Sequence, residues 1–506
     1  MRDASCRIEG IMQLNLTNIE YSYPLAAEPA LSGVSATFPR GWTGLVGDNG
    51  SGKTTLALVA CGLVPPDTGS VSPSLVTRYC AQDATEAPFD LDDFANAYDG
   101  LAVRLRRDLA IEDDWYTRYA TLSCGQQKRL QVACALWTGP DVLAMDEPTN
   151  HLDSTTRHAI SAALARYGGI GLLISHDREL LDALCSQCLF FTSETAVMRP
   201  GGYTQASSQA TLERSSAIHA RENARKEKAR IEREGQRRRE EASRTVGKRS
   251  LSGVDKHDAD ARYKKRIAVV SGQDGKAGKL SSRMSSRLED ANAKLATTFV
   301  EKRYDADVWF DVEPSRRKVL LRMEPEVLLL GDTALKVPAL TLGNVDHIGL
   351  IGENGSGKTT LVKSVMRHLP ETIRCLYIPQ EADGKQMRAA VEKLNGLPSA
   401  QRGRALSIVA LLNSIPDRIL EGDSISPGEM RKLMLAIGIL DSPELIVMDE
   451  PTNHLDLGST EALERMLSVY PGALLLVSHD AAFINTATSI VWETRKSSDG
   501  YALTIR

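Results

Sequence analysis

A glycine-rich string occurs twice in this chain, as Gly47-Asp48-Asn49-Gly50-Ser51-Gly52-Lys53-Thr54 and as Gly352-Glu353-Asn354-Gly355-Ser356-Gly357-Lys358-Thr359, 305 residues apart. A second string, Met145-Asp146-Glu147-Pro148-Thr149-Asn150-His151-Leu152-Asp153, returns 303 residues later as Met448-Asp449-Glu450-Pro451-Thr452-Asn453-His454-Leu455-Asp456. Ser175-His176-Asp177 returns at the same offset as Ser478-His479-Asp480. A period this long is no solenoid repeat. It is a duplicated domain, so the fold must accommodate two copies of one unit.

Each glycine string follows a short apolar segment, Thr43-Gly44-Leu45-Val46 in one copy and Asp346 to Ile351 in the other. Val142 to Met145, Leu445 to Met448, Leu172 to Ile174 and Leu474 to Val477 are continuous apolar runs. Runs of that kind predict strands of a parallel sheet covered on both faces. The expected class is α/β: two phosphate-loop domains, 1–204 and 303–506, joined by a charged α-helical hairpin linker over 205–302. Met12-Gln13-Leu14-Asn15-Leu16 starts the alternation of a first strand, so Met12 is a candidate true start.

The glycine strings match G-x-x-x-x-G-K-[ST] in the strand-loop-helix setting that the pattern requires. Glycines let backbone N–H groups curl around phosphate oxygens, and a following helix N-terminus favours negative charge. Both loops, with the following Thr55 and Thr360, are therefore expected to bind ATP. Lys53 and Lys358 would reach the β- and γ-phosphates, and Thr54 and Thr359 would bind Mg²⁺. Asp146 and Asp449 end apolar strands, where a carboxylate can join the Mg²⁺ shell. Glu147 and Glu450 are the expected catalytic bases for the attacking water. His176 and His479 recur 30 residues after the aspartates, a constancy that favours a catalytic role over a structural one.

Ser123-Cys124-Gly125-Gln126 and Ser426-Pro427-Gly428-Glu429 each begin 23 residues before an aspartate. A serine at a helix start offers a hydroxyl and free N–H groups to a phosphate. Gln82 and Gln380 close Tyr79-Cys80-Ala81-Gln82 and Tyr377-Ile378-Pro379-Gln380, and are expected to sense Mg²⁺ and water. Tyr23 is a candidate adenine platform in the first copy; no equally clear aromatic precedes Lys358.

Residues 211–300 carry a net charge of +10, whereas the whole chain is at −4. Glu213 to Arg244 is nearly devoid of large apolar residues and reads as a solvated helix, while Leu280, Met284, Leu288, Ala291 and Leu295 recur at helical steps. A basic excess on an acidic body points to RNA. Lys248, Arg249, Lys264, Lys265 and Arg266 are the candidate contacts. Eight cysteines without framework spacing suit a reducing compartment. The near pair Cys185 and Cys188 supplies too few ligands for zinc. No run of 18 apolar residues and no secretion signal is found, so a cytoplasmic location is expected.

Taken together, the motifs resemble the ABC-F family: two ABC domains on one chain and a charged helical linker. That resemblance implies ATP hydrolysis, a monomer whose domains close on each other, and binding to the ribosome near the exit site, with the linker reaching toward peptidyl-tRNA and rRNA. It also implies that Lys53 shares one ATP with Ser426, and Lys358 another with Ser123. The stretch His257 to Arg262 and the Gly- and charge-rich run from Ser271 to Gly278 look like linkers of the branch that protects ribosomes from lincosamides, pleuromutilins and streptogramin A. Cys124 and Pro427 replace signature glycines, and no arm is inserted between Gln82 and Ser123. A housekeeping translation factor, the ATPase subunit of a drug exporter and a non-ribosomal RNA remodeller stay open as alternatives.

Overall fold

The computed structural model describes residues 12–24, 26, 28–150, 152–192, 195–249, 286–293, 312–331, 333–380, 384–416, 425–498 and 500–506, with side chains of the first linker helix described to residue 237. Residues 1–11, Leu280, Met284, Leu295, Lys264, Lys265, Arg266 and the side chains of Lys248 and Arg249 lie outside that description. The chain divides into two compact units: residues 1–206 with 303–506, and residues 207–302.

In the first unit the two halves are built alike. A six-stranded sheet has the order Thr77–Cys80, Val142–Asp146, Ile170–Ile174, Gly41–Val46, Cys185–Phe191, Ala196–Pro200. The first five strands are parallel and the last antiparallel. The apolar runs are buried along their whole length, as double-sided cover by helices requires. The second half repeats the arrangement with Cys375–Ile378, Leu445–Asp449, Ala473–Val477, His347–Gly352 and Ile490–Ser497. A three-stranded antiparallel sheet, with Gln13–Tyr21 at its centre, belongs to the first half. In the second half, the hairpin of Glu326–Leu330 and Thr333–Val337 instead extends the main sheet to eight strands.

This strand order decides where chemistry can occur. The strand entering each phosphate loop lies beside the strand ending in Ile174 or Val477, which lies beside the strand ending in Asp146 or Asp449. Their C-terminal ends open onto one crevice, the usual ligand position of an open parallel sheet. Gly52 sits at φ 92° and Gly357 at φ 90°, and a Cβ on Gly52 would lie 2.5 Å from the Ala30 carbonyl oxygen. Only glycine fits there, which makes the tight turn into helices Lys53–Ala60 and Lys358–His368 possible.

The second unit holds most of helix Tyr203–Arg249, which starts ten residues earlier than the charge pattern suggested. A short helix spans 286–293. Ile231 and Ala291 are buried, whereas Leu212 and Ile218 are exposed.

Candidate active sites

Both phosphate loops are folded around their own lysines. Lys53 Nζ donates to the carbonyls of Gly47 (2.8 Å) and Asp48 (2.7 Å), and Lys358 Nζ to those of Gly352 (2.8 Å) and Glu353 (3.0 Å). Burial pushes both ammonium groups below the ordinary lysine range, against the pull of nearby carboxylates. An anion in the loop would relieve that cost.

The hydroxyl of Thr54 donates to Asp146 Oδ2 at 2.8 Å, and that of Thr359 to Asp449 Oδ2 at 3.1 Å. Adjacent ligands of an octahedral Mg²⁺ with bonds near 2.1 Å are about 3.0 Å apart. Each threonine–aspartate pair therefore fits two neighbouring positions on that ion. Tyr79 also donates to Asp146 Oδ2, at 2.9 Å.

The neighbouring glutamates leave the strand in an unusual way. Glu147 has φ 45° and Glu450 φ 49°, the left-handed region that side-chain-bearing residues seldom occupy. Each backbone N–H donates to the end of the adjacent strand, Ile174 or Val477. Glu147 Oε2 accepts from the His176 N–H at 3.2 Å, while Oε1 lies 3.3 Å from His176 Nε2. Glu450 and His479 repeat this at 3.4 Å and 3.4 Å. Burial, reinforced by Asp146, lifts Glu147 to about 8; burial lifts Glu450 to about 7. Burial beside Lys53 lowers His176 to about 4, and burial beside Lys358 lowers His479 to about 3. Both imidazoles are thus neutral at pH 7 and can hydrogen-bond without adding charge. His479 Nε2 lies 3.1 Å from Lys358 Nζ and 3.0 Å from the Asn354 side-chain oxygen.

The signature serines cap the helices that they start. Ser123 and Gln126 close a capping box at helix Cys124–Thr138, and Ser426 and Glu429 do the same at helix Pro427–Leu440. Both serines are exposed. What approaches the opposite phosphate loop is the segment after Asp449-Glu450: Asn49 donates to the His454 carbonyl (3.1 Å), and its N–H to Asp456 Oδ2 (3.5 Å). A Cβ on Gly428 would lie 2.5 Å from the His454 carbonyl oxygen, so the signature helix packs tightly against this segment. At Gly125 there is more room: an added Cβ would meet Leu152 Cδ2 at 3.4 Å, an ordinary van der Waals contact.

At the second site a cavity of about 570 Å³ is lined by Asn354, Gly355, Gly357, Lys358, Thr359, Thr360, Gln380, Asp449, Glu450 and His479 from one half, and by Leu152 and Arg157 from the other. That volume suits a nucleotide. Leu330 lines it where the sequence offered no aromatic. In the first half Tyr23 is half-exposed, meets Tyr21 edge to face, and its hydroxyl lies 3.1 Å from that of Thr55.

Several residues that shape the sites escaped the sequence reading. Lys128 Nζ donates to the carbonyls of Ala81 (2.8 Å) and Gln82 (3.3 Å). Arg431 donates to the carbonyl of Gln380 and to that of Glu450 (3.2 Å). Each cation stands five residues after a signature serine and pins the glutamine segment to the strand-end acids. Arg157 donates to the His479 carbonyl of the other half at 3.2 Å. Arg178 pairs with Glu464 across the halves.

The chain is similar to known proteins along most of its length. The family described as ABC transporter matches residues 31–150 and 335–453. The ribosome protection protein VmlR of Bacillus subtilis is 26% identical over 94% of this chain and 85% of its own length. The energy-dependent translational throttle protein EttA of Mycobacterium tuberculosis is 25% identical over 90% and 87%. Among solved structures, the archaeal ribosome recycling factor aABCE1, crystallised with a ribosomal stalk protein, shares the fold. It has a TM-score of 0.61 and 17% identity, covering 96% of this chain and 89% of that one.

Proposed function

Because the chain is a tandem ABC ATPase whose relatives are ABC-F proteins, we propose that it uses ATP to act on the ribosome and thereby protects it from antibiotics of the lincosamide, pleuromutilin and streptogramin A type. The observation that carries this reading is a likeness to a ribosome protection protein that runs through nearly the entire chain, linker included, rather than through the ATPase domains alone. The basic excess of the linker, set on an acidic body, supports rRNA and tRNA as its targets. Lys248, Arg249, Lys264, Lys265 and Arg266 are the contacts we assign to it. No helix among the described residues is long and apolar enough to cross a membrane, and a monomer working in the cytoplasm fits the proposed target.

In the proposed mechanism the loops of Lys53 and Lys358 each hold one ATP by backbone N–H groups, with the lysine moving from loop carbonyls to the β- and γ-phosphates. Thr54 with Asp146, and Thr359 with Asp449, would hold Mg²⁺, which would offset charge on the phosphates. Gln82 and Gln380 would sense that ion and the attacking water. Glu147 and Glu450 take a proton from the attacking water. In the ionised form, their raised affinity for protons makes them stronger bases than ordinary carboxylates. His176 and His479 hold these carboxyl groups in place. Closing the two halves brings Ser426 to the Lys53 site and Ser123 to the Lys358 site. Domains 1–204 and 303–506 supply the ATPase, and 205–302 the ribosomal contact.

The test is drug susceptibility of a sensitive bacterium expressing the chain. The parent is expected to raise inhibitory concentrations of at least one of the three drug classes. Exchange of residues 246–261 for a short Gly-Ser turn should remove protection while ATP turnover stays near the parent's. An unchanged profile against every ribosome-targeting drug would sink the protection reading. A second reading, a translation factor, is favoured by the similarity to the translational throttle protein, and a drug-independent effect on protein synthesis would select it.

A further inference from the structure

The duplicated halves invite comparison position by position, and one contact has no chemical equivalent on the other side. Asp48 in the first phosphate loop offers its carbonyl to Lys53 Nζ, and its Oδ1 accepts a hydrogen bond from Asn413 Nδ2 of the second half at 3.0 Å. Asn413 follows helix Ser399–Leu411 at φ 59°, a left-handed seat that asparagine tolerates better than most residues. Its carbonyl accepts from Lys432 Nζ at 3.4 Å, and Lys432 also donates to Ser414 Oγ (2.9 Å) and Ser459 Oγ (2.6 Å). The turn carrying Asn413 is therefore fastened within its own half before it reaches across.

The equivalent of Asn413, thirteen residues before the other signature serine, is Ala110. Its backbone takes the same left-handed seat, at φ 47°, but a methyl group has nothing to donate to Glu353, the equivalent of Asp48. The turn geometry is kept in both halves while the donor is present in one.

We propose that Asn413 is a positioning residue for the first ATP site alone, holding Asp48 and with it the Lys53 loop against the second half in advance of nucleotide. The reading rests on the assignment of the two phosphate loops made above. A loop fixed before binding loses less conformational freedom when ATP arrives. The Lys53 site therefore binds ATP more tightly than it would with alanine at 413, and the Lys358 site gains nothing from this contact.

Two backgrounds separate the sites. Lys358→Ala leaves the first loop intact and Lys53→Ala the second; each is expected to bind one equivalent of AMPPNP with Mg²⁺ in equilibrium dialysis, where the parent binds two. On the Lys358→Ala background, Asn413→Ala should weaken binding about five- to tenfold, the worth of a hydrogen bond to a charged acceptor at a partly exposed site. On the Lys53→Ala background the same change should stay within about twofold. Asn413→Asp sets two carboxylates against each other and should weaken the first site further. Combining it with Asp48→Asn reverses donor and acceptor and should restore affinity, which a merely structural defect at 413 would not allow. Equal losses at both sites, no loss at either, or an exchanged pair as weak as Asn413→Asp alone overturns the proposal. Backgrounds that still bind two equivalents, or bind none, would overturn the loop assignment instead.

Discussion

Arg178 of the first half and Glu464 of the second form a two-pronged ion pair, with Nη2 2.7 Å from Oε1 and Nη1 3.1 Å from Oε2. Both side chains are largely withdrawn from solvent, at 18% and 8% exposure. The equivalent positions under the 303-residue offset are Ala481 and Ser161, which cannot pair. The two halves are thus linked by an ion pair on one side of their pseudo-symmetry and not on the other.

Removing one partner strands the other charge in a partly desolvated place. Arg178→Ala and Glu464→Ala should each lower the stability of the first unit by roughly 2–3 kcal/mol. The double variant should cost little more than either single one, with a coupling of about 1 kcal/mol or larger. Denaturant melts of the four proteins give the cycle; strictly additive losses would mean that the pair contributes nothing as a pair.

A second expectation concerns pH in protein free of nucleotide and Mg²⁺. Glu147 and Glu450 are held to about 8 and about 7 in the folded state, whereas in the unfolded chain a glutamate titrates near 4.3. A raised folded value means that folding favours the protonated form. That contribution is complete below the unfolded value and is lost as pH rises through the folded one. Glu147→Gln with Glu450→Gln imitates the protonated pair permanently. The double variant should therefore melt close to the parent at pH 5 and clearly above it at pH 8.5. A gap that stays constant across that window, or closes with rising pH, would contradict the raised values.

Why some of this was readable from sequence and some not follows from where the partners lie. Lys53, Thr54, Asp146, Glu147 and His176 sit in contiguous strings, and repetition at a fixed offset marks them without any knowledge of contacts. Lys128 and Arg431 were marked more faintly: both are cations 18 residues before the aspartate, but a lone cation in an apolar helix looks like a surface residue until its carbonyl partners are seen. Asn413, Arg157, Arg178 and Glu464 carried no signal at all. Their partners lie hundreds of residues away, and their equivalents Ala110, Thr460, Ala481 and Ser161 break the repeat that exposed everything else. Leu330 was hidden for another reason: an adenine platform is expected to be an aromatic ring, and an aliphatic side chain carries no such mark. Gly428 lies in a signature string, yet it is also required by the close approach of the His454 carbonyl, a packing demand that sequence spacing cannot express.

The left-handed backbone at the catalytic glutamates yields the sharpest test of how these sites are built. At φ 45° and 49°, any residue with a Cβ crowds the following carbonyl, at a cost of about 1–2 kcal/mol, while glycine pays none. Strain of this kind persists at functional positions because the surrounding structure over-determines them. Here the N–H of each glutamate is fixed to the end of the next strand and its carboxyl to a histidine N–H. Comparing Glu147→Ala with Glu147→Gly isolates the backbone, since both variants lose the carboxyl and with it turnover at that site. In an ordinary strand or helix glycine is worse than alanine by about 0.5–1 kcal/mol. At position 147 the order should reverse, with the glycine variant the more stable by about 1 kcal/mol, and the same reversal should appear at 450. Thermal melts of the four single variants, taken below pH 6 so that charge plays no part, measure it directly. Alanine matching or exceeding glycine at both positions would show that the left-handed turn stores no strain, and that the glutamates are held by side-chain contacts alone.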